Sequence, residues 1–320
     1  MKAIQVKNFG GPEVMELVDI PSPEPGAGQI KIKVEAAGVN PVDTYIRAGV
    51  YAIKPELPYT PGSDGAGTII AVGSGVVDFK VGQRVYNMRN ITGTYAEDVI
   101  CDQKQVYALP DNVSFSCGAA VGVPYSTAYF GLNFRAKALP GETLLIHGAS
   151  GSVGQAAIQI AKSQGLKVIG TAGTQAGLDL ILEQGAIAAF NHNESGYVDA
   201  IMELTGCAGV NVILEMLANV NLATDLTLLA KYGRVVVIGN RGAIEIDPRL
   251  TMGKNASILG MSLFNATFAE LDQIHAAIYA GLADGRYTPV VHCEMPLAQA
   301  PESHDLVMQN GVNGKIVLIP

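Results

Sequence analysis

The chain has 320 residues, 48% of them hydrophobic, and a formal net charge of −8 with no basic run. That length suits two domains with cores of their own, and the composition excludes a disordered chain and argues against a dedicated nucleic-acid surface. No apolar run reaches membrane-helix length, the opening MKAIQVKNFGGPEV has no apolar signal region, and Cys101, Cys117, Cys207 and Cys293 form no C-x-x-C pair, so the expectation is a cytoplasmic protein with neither a disulfide framework nor a cysteine zinc knot.

Residues 1 to about 122 read as mostly β. Ile30, Ile32 and Val34 alternate with Lys31, Lys33 and Glu35, the period of a half-buried strand. Further strands are predicted at 68–72, 84–86 and 95–100, and the Pro/Gly-rich stretch 21–28 is a loop. From about residue 123 the rhythm changes to strand, helix, strand. Leu144, Leu145 and Ile146 run into a glycine-rich turn, after which Val153, Ala156, Ala157, Ile160 and Ala161 recur at helical spacing. Gly165 closes that helix before a strand at 166–171. Strands at 186–190, 210–214, 234–238 and 256–259 follow, with helices at 178–184 and 222–232 among them. Gly185 and Gly233 stand at expected left-handed helix stops. Alternation of this kind predicts an α/β fold with a doubly wound parallel sheet. A helix at 268–282 and a strand at 315–319 leave the pattern and are read as returning to the first domain, with a cleft over the glycine turn. The expected partition is 1–122 with 263–320, and 123–262.

The segment Leu144 to Gly154, LLIHGASGSVG, points to a dinucleotide site. A glycine turn between strand and helix lets backbone N–H groups and the helix N-terminus face a pyrophosphate. Ala149 replaces the first glycine of G-x-G-x-x-G, leaving Gly151 and Gly154, so the strand and helix around the turn carry the reading. NAD sites place an acid at the end of the second strand. Here residues 169–174 read Ile-Gly-Thr-Ala-Gly-Thr, and the first acid is Asp179. This favours NADP; the absence of Lys or Arg from that loop keeps a site tolerant of both cofactors open.

The segments GVNPVDTYIRAGVY, LPYTPGSDGAG, VPYSTAY, HGASGSVG, GTAGT, EMLANVNL and VVIGNRG run in order along nearly the whole chain. In them the chain resembles the zeta-crystallin-type quinone oxidoreductases, a zinc-free branch of the medium-chain dehydrogenase/reductase superfamily. The resemblance implies a GroES-like catalytic domain, a Rossmann domain binding NADPH, and a homodimer or homotetramer. Where zinc-dependent relatives hold catalytic metal, this chain has Asn40, Ser63 and Val123, so no metal is expected.

By the same resemblance Asn40, Tyr45 and Tyr51 lie beside the nicotinamide, as donors to the acceptor oxygen or as pocket walls. Cofactor contacts fall on Tyr45, on Ser150, Gly151, Ser152 and Val153 of the turn, and on Gly173. Further contacts are His192, Asn221, Ile238, Gly239, Asn240 and Arg241, then Met261, Ser262 and Leu263. His192 and Arg241 fall on the adenosine side, with the Arg fork suited to a 2′-phosphate, or else are solvated loop charges. Asp43 and Asp64 read as structural acceptors of backbone N–H groups, and His147 as a packed strand-end histidine. The implied activity is NADPH-dependent reduction of quinones to semiquinones. The alternatives are reduction of activated C=C bonds in enals or enoyl thioesters, and a non-enzymatic role in AU-rich RNA binding or as a crystallin. Charge gives the RNA role no support.

Overall fold

The computed structural model describes residues 1–52 and 54–320, and it pairs the alternating segment around Ile32 into a strand of 11 residues. From the N-terminus run β1 (Lys2–Val6), β2 (Met15–Asp19), β3 (Gln29–Val39), helix α1 (Pro41–Arg47), β4 (Asp64–Val72), β5 (Arg84–Met88), β6 (Asp98–Asp102) and β7 (Val106–Ala108). Helices α2 (Phe115–Gly118) and α3 (Gly122–Tyr129) follow, then β8 (Thr143–Ile146), α4 (Ser152–Ser163), β9 (Lys167–Ala172), α5 (Gln175–Glu183) and β10 (Ala188–Asn191). Next come α6 (Tyr197–Leu204), β11 (Val210–Glu215), α7 (Ala218–Leu228), β12 (Leu229–Val237), α8 (Arg249–Met252) and β13 (Ser257–Gly260). The last elements are α9 (Phe268–Ala283), β14 (Val291–Pro296), α10 (Ala300–Leu306) and β15 (Lys315–Ile319). No helix among the described residues is long and apolar enough to cross a membrane.

Two compact units result: Met1–Val123 with His275–Pro320, and Pro124–Ile274. Their boundaries fall inside α3 and α9, the second later in the chain than the position 262 read from the sequence. In the first unit the sheet order is β14-β15-β3-β4-β5-β7, with β6 also on β3. All its pairings are antiparallel except β14 with β15. Strand β15 thus lies beside β3, Ile316 opposite Val39 and Leu318 opposite Ala37. Ile4, Ile30, Ile32, Ile69, Val99 and Leu318 fill the core between the layers.

The second unit carries a six-stranded, wholly parallel sheet in the order β10-β9-β8-β11-β12-β13. Counted from β8 this is the 3-2-1-4-5-6 order of a doubly wound dinucleotide fold. Leu145, Ile169, Ile213, Leu226 and Val235 make its core. Helix α4 lays Ala156, Ala157, Ile160 and Ala161 on the sheet with no exposed surface.

Two local readings are corrected. The strand predicted at 95–100 forms at Asp98–Asp102 instead, because β1 claims the earlier residues: Ile4 N–H donates to the Tyr95 carbonyl at 2.8 Å and Ala3 bridges Ala96. The helix predicted at 222–232 stops at Leu228, since Leu229 is drawn into register with Val210 and the chain enters β12 directly. Gly233 is therefore no helix stop; Tyr232 takes the left-handed turn, at φ 63°.

At the glycine turn the two glycines do different things. A Cβ on Gly154 would lie 2.5 Å from Ala149 Cα and 2.6 Å from its carbonyl oxygen, whereas one on Gly151 meets nothing closer than 3.4 Å. Gly154→Ala is expected to cost about 1–3 kcal/mol through a backbone clash that cannot relax, and Gly151→Ala less than about 1 kcal/mol. Denaturant midpoints of the two variants without added ligand check the difference.

Candidate functional site

The carboxyl ends of the six parallel strands share one edge, and the predicted cofactor residues of the second unit follow them. After β8 come Ser150 and Gly151; Gly151 is the N-cap of α4 and has no side chain to accept from the first helical N–H groups. After β9 comes Gly173, where a Cβ would lie 2.9 Å from Asn193 Nδ2 and 3.0 Å from His192 Nε2, so the loop after β10 is packed against it. Asn193 Nδ2 donates to the Gly173 carbonyl at 3.1 Å. Ser150 in turn approaches Gly177 at the start of α5, whose N-terminus is capped by Thr174. The turn, Gly173 and His192 are thereby brought together.

Beyond β11 and β12 the remaining candidates join the same edge. Asn221 Nδ2 donates to Glu215 Oε1 at 3.2 Å. Ile238 and Gly239 both donate their N–H to the Glu215 carbonyl, at 2.9 and 3.2 Å. The Arg241 N–H donates to Asn219 Oδ1 at 2.8 Å on an exposed loop, and Asn240 closes a turn onto the Gly242 carbonyl. Met261 N–H donates to the Val237 carbonyl, holding Met261, Ser262 and Leu263 just past β13.

In the first unit the three predicted catalytic residues come from one segment. Asn40 caps α1, and its N–H donates to Asp43 Oδ2 at 2.9 Å in a capping box. Its side chain is fixed at both ends: Nδ2 donates to Asp64 Oδ2 at 3.0 Å, and Oδ1 accepts from Lys315 Nζ at 2.5 Å. Tyr45 lies on α1 and Tyr51 just after it, both half-buried. Burial lifts the Tyr51 phenol above its ordinary value, so it stays a proton donor through neutral pH.

Asp64 is wholly buried. It accepts the Val123 N–H at 2.8 Å and the Lys315 ammonium at 2.8 Å. Asp43 accepts from Ser63 Oγ at 2.9 Å, and burial pushes its carboxyl up to about 6 despite the backbone donor at Asn40 and the nearby Lys315. Both acids are therefore structural acceptors, as read from the sequence. Where related enzymes would bind zinc, this donor set is a carboxamide, a hydroxyl and a valine. This set has two carboxylate neighbours, Asp43 held on the Ser63 hydroxyl and Asp64 neutralised by an ammonium. It does not match the N/S/O ligands that catalytic zinc takes. A cavity of about 620 Å³ opens in the same unit, lined by Asp43, Ile46, Tyr59, Ser63 and Asn90 but not by Tyr45 or Tyr51.

Sequence reasoning missed Lys315, Glu215 and Asp225. The signal for each was a charged residue inside an apolar run: Lys315 opens KIVLI, Glu215 ends VNVILE, and Asp225 sits among Leu222, Leu226 and Leu228. His147 is buried at the end of β8 as expected, yet it belongs with these acids. Its Nε2 lies 2.8 Å from Asp225 Oδ1, and its Nδ1 lies 3.2 Å from Thr171 Oγ1.

Residues 26–111 match the family model described as alcohol dehydrogenase GroES-like domain, and residues 152–277 the one described as zinc-binding dehydrogenase. The chain is 50% identical to a human quinone oxidoreductase, over 100% of this chain and 98% of that relative. It is 31% identical to quinone oxidoreductase 1 of Escherichia coli, over 99% of both. A solved Escherichia coli quinone oxidoreductase, complexed with NADPH, superposes with a TM-score of 0.91 at 30% identity over 100% of both chains. The chain belongs to the quinone oxidoreductase family, within the medium-chain dehydrogenase/reductase superfamily.

Proposed function

We propose that the chain is an NADPH-dependent quinone reductase that works without zinc. The observation that carries the reading is the end-to-end similarity to quinone oxidoreductases. Bound NADPH supplies the reducing equivalents; the protein supplies binding, orientation and electrostatics. In the second unit, the N–H groups that open α4 suit a pyrophosphate. No carboxylate between residues 169 and 174 opposes a 2′-phosphate, and the exposed Arg241 offers it a fork of donors.

In the first unit we assign Asn40, Tyr45 and Tyr51 to the acceptor. Lys315 and Asp64 fix the amide of Asn40 and leave its second N–H to meet an acceptor oxygen. The two tyrosines give aromatic walls on which a planar quinone stacks, and Tyr51 adds a neutral phenol donor. Quinones are strongly oxidising and need little acid help, so this set serves them better than a conjugated C=C bond. We read the reduction as proceeding by single electrons: two quinones are each reduced by one electron per NADPH consumed, with release of one proton.

NADPH is expected to bind more tightly than NADH. Arg241→Ala should raise the NADPH Kd about tenfold, some 1.4 kcal/mol, and leave NADH nearly unchanged. Ala172→Asp should lower the NADPH/NADH preference by at least as much. The ratio of the two dissociation constants is unaffected by any loss of folded protein. A wild type that prefers NADH overturns the assignment.

The acceptor is tested with Tyr51→Phe and a panel of quinones, enals and enoyl thioesters. For quinones, kcat/KM should fall no more than about tenfold. Spin resonance during anaerobic turnover should detect a quinone radical. Robust enal reduction with no quinone turnover overturns the reading in favour of C=C reduction.

Chelator should leave activity intact. Lys315→Met should destabilise the protein by about 3–5 kcal/mol, because it strands the buried Asp64 charge. Stoichiometric zinc on which activity depends contradicts the proposal.

A further inference from the structure

Beneath the cofactor edge of the parallel sheet lies a cluster that the reaction above does not use. Glu215 ends β11, Asp225 faces inward from α7, His147 follows β8 and Thr171 belongs to β9; all four are buried, the two acids completely. The ligand atoms of His147, Glu215 and Asp225 lie within 4.8 Å of one another. Glu215 Oε2 and Asp225 Oδ2 have no hydrogen-bond partner. Among the described residues no lysine or arginine bonds either carboxylate. Tyr197 of α6 and His192, after β10, are the titratable groups that face the cluster from neighbouring elements.

Two ionised carboxylates beside a neutral imidazole would put two negative charges in a dry interior, at a cost of several kcal/mol each. A metal ion is the less suitable remedy. Two ligands on one zinc, each about 2.1 Å away and tetrahedrally placed, stand well over 3 Å apart, whereas His147 Nε2 and Asp225 Oδ1 are at hydrogen-bond distance, 2.8 Å. A proton on one of the two carboxyls removes one negative charge and makes that acid a donor toward its neighbour.

We propose that Glu215 and Asp225 hold one shared proton, and that this proton positions the NADPH cradle. The link runs through Glu215. Its Oε1 accepts from the Leu217 N–H and from Asn221 Nδ2, and its carbonyl accepts from the Ile238 and Gly239 N–H groups. Asn221, Ile238 and Gly239 are three of the residues assigned to the cofactor, so the inference rests on that reading. Burial holds both carboxyls above the ordinary carboxylate range and the imidazole below its own. On release of the proton, two like charges face each other across β11 and α7, and the loop bearing Asn221 moves. Glu215 and Asp225 are thus positioning residues; neither is assigned a contact with the cofactor.

A carboxyl held protonated in the fold but ionised when unfolded stabilises the fold at low pH, and that contribution is lost as pH rises toward its folded value. Glu215→Gln mimics the protonated state, with its amide NH₂ aimed at Asp225 and its carbonyl left for Leu217 and Asn221. Asp225→Asn is the matching variant on the other side.

The experiment has two arms. Infrared spectra of protein without cofactor should show a carboxylic-acid C=O band at pH 6.5 that fades toward pH 8.5 and is missing from Glu215→Gln. Fluorescence titration should show the wild-type NADPH Kd rising about tenfold between pH 7 and pH 8.5. It should stay flat in Glu215→Gln or Asp225→Asn once the cofactor's own phosphate titration, common to all, is divided out. Absence of the acid band, equal pH profiles in wild type and variants, or a stoichiometric metal lost on substitution overturns the proposal. An acid band lost in Glu215→Gln, with NADPH bound by neither protein, supports the shared proton and overturns the cofactor reading instead.

Discussion

Asp64 and Lys315 meet at 2.8 Å with both side chains fully removed from water, 251 residues apart in sequence. Desolvating two ions costs several kcal/mol apiece, and their attraction offsets this only when every remaining lone pair and proton has a partner. That condition shapes the surroundings. The carboxylate takes the Val123 N–H and the Asn40 amide, and the ammonium takes the Asn40 oxygen. Asn40 consequently has one orientation, and it caps the helix that carries Tyr45. The ion pair also ties β15 to β4 around β3, so the register of the sheet and the placement of the residues we assign to the acceptor are one constraint.

The second unit faces the same difficulty, buried negative charge at strand ends, without a lysine to answer it. Its glutamate and aspartate stand with His147 beneath the loop we assign to the cofactor, where on that assignment a fixed ammonium would compete with the helix N-terminus for the ligand's charge. On our proposal a proton does the neutralising there, and unlike an ammonium it leaves when the solution becomes alkaline. The two units therefore treat a buried acid in opposite ways, one permanent and one conditional.

Much of this was legible in the residues. The parallel sheet followed from apolar runs separated by helical spacing, and β15 was read at its exact bounds because KIVLI is an uninterrupted apolar strand after one lysine. The glycine turn was legible for the same reason, Gly154 being required where helix and turn backbones touch. Errors arose where a partner distant in sequence decided the outcome. Tyr95 and Ala96 were taken by β1, and Leu229 by Val210. The charged residues of the two cores were missed in the same way. A lysine in a strand reads as a solvent-facing residue until the carboxylate that buries it is known, and a glutamate at a strand end reads as a loop charge.

The interleaving of the units has a consequence for how the chain is made. Unit 2 is one continuous stretch and has all its strands once residue 274 has been synthesised, whereas unit 1 waits for β15. At about 5–20 residues per second, the 251 residues between Asp64 and Lys315 leave the carboxylate without its ammonium for roughly 10–50 s. Throughout that interval Ala37, Gly38 and Val39 present an open strand edge on the ribosome. Once residue 274 is made, the nascent chain carries a finished second unit tethered to an unfinished first one, and it is the unfinished edge, not the parallel sheet, that chaperones would be called on to shield.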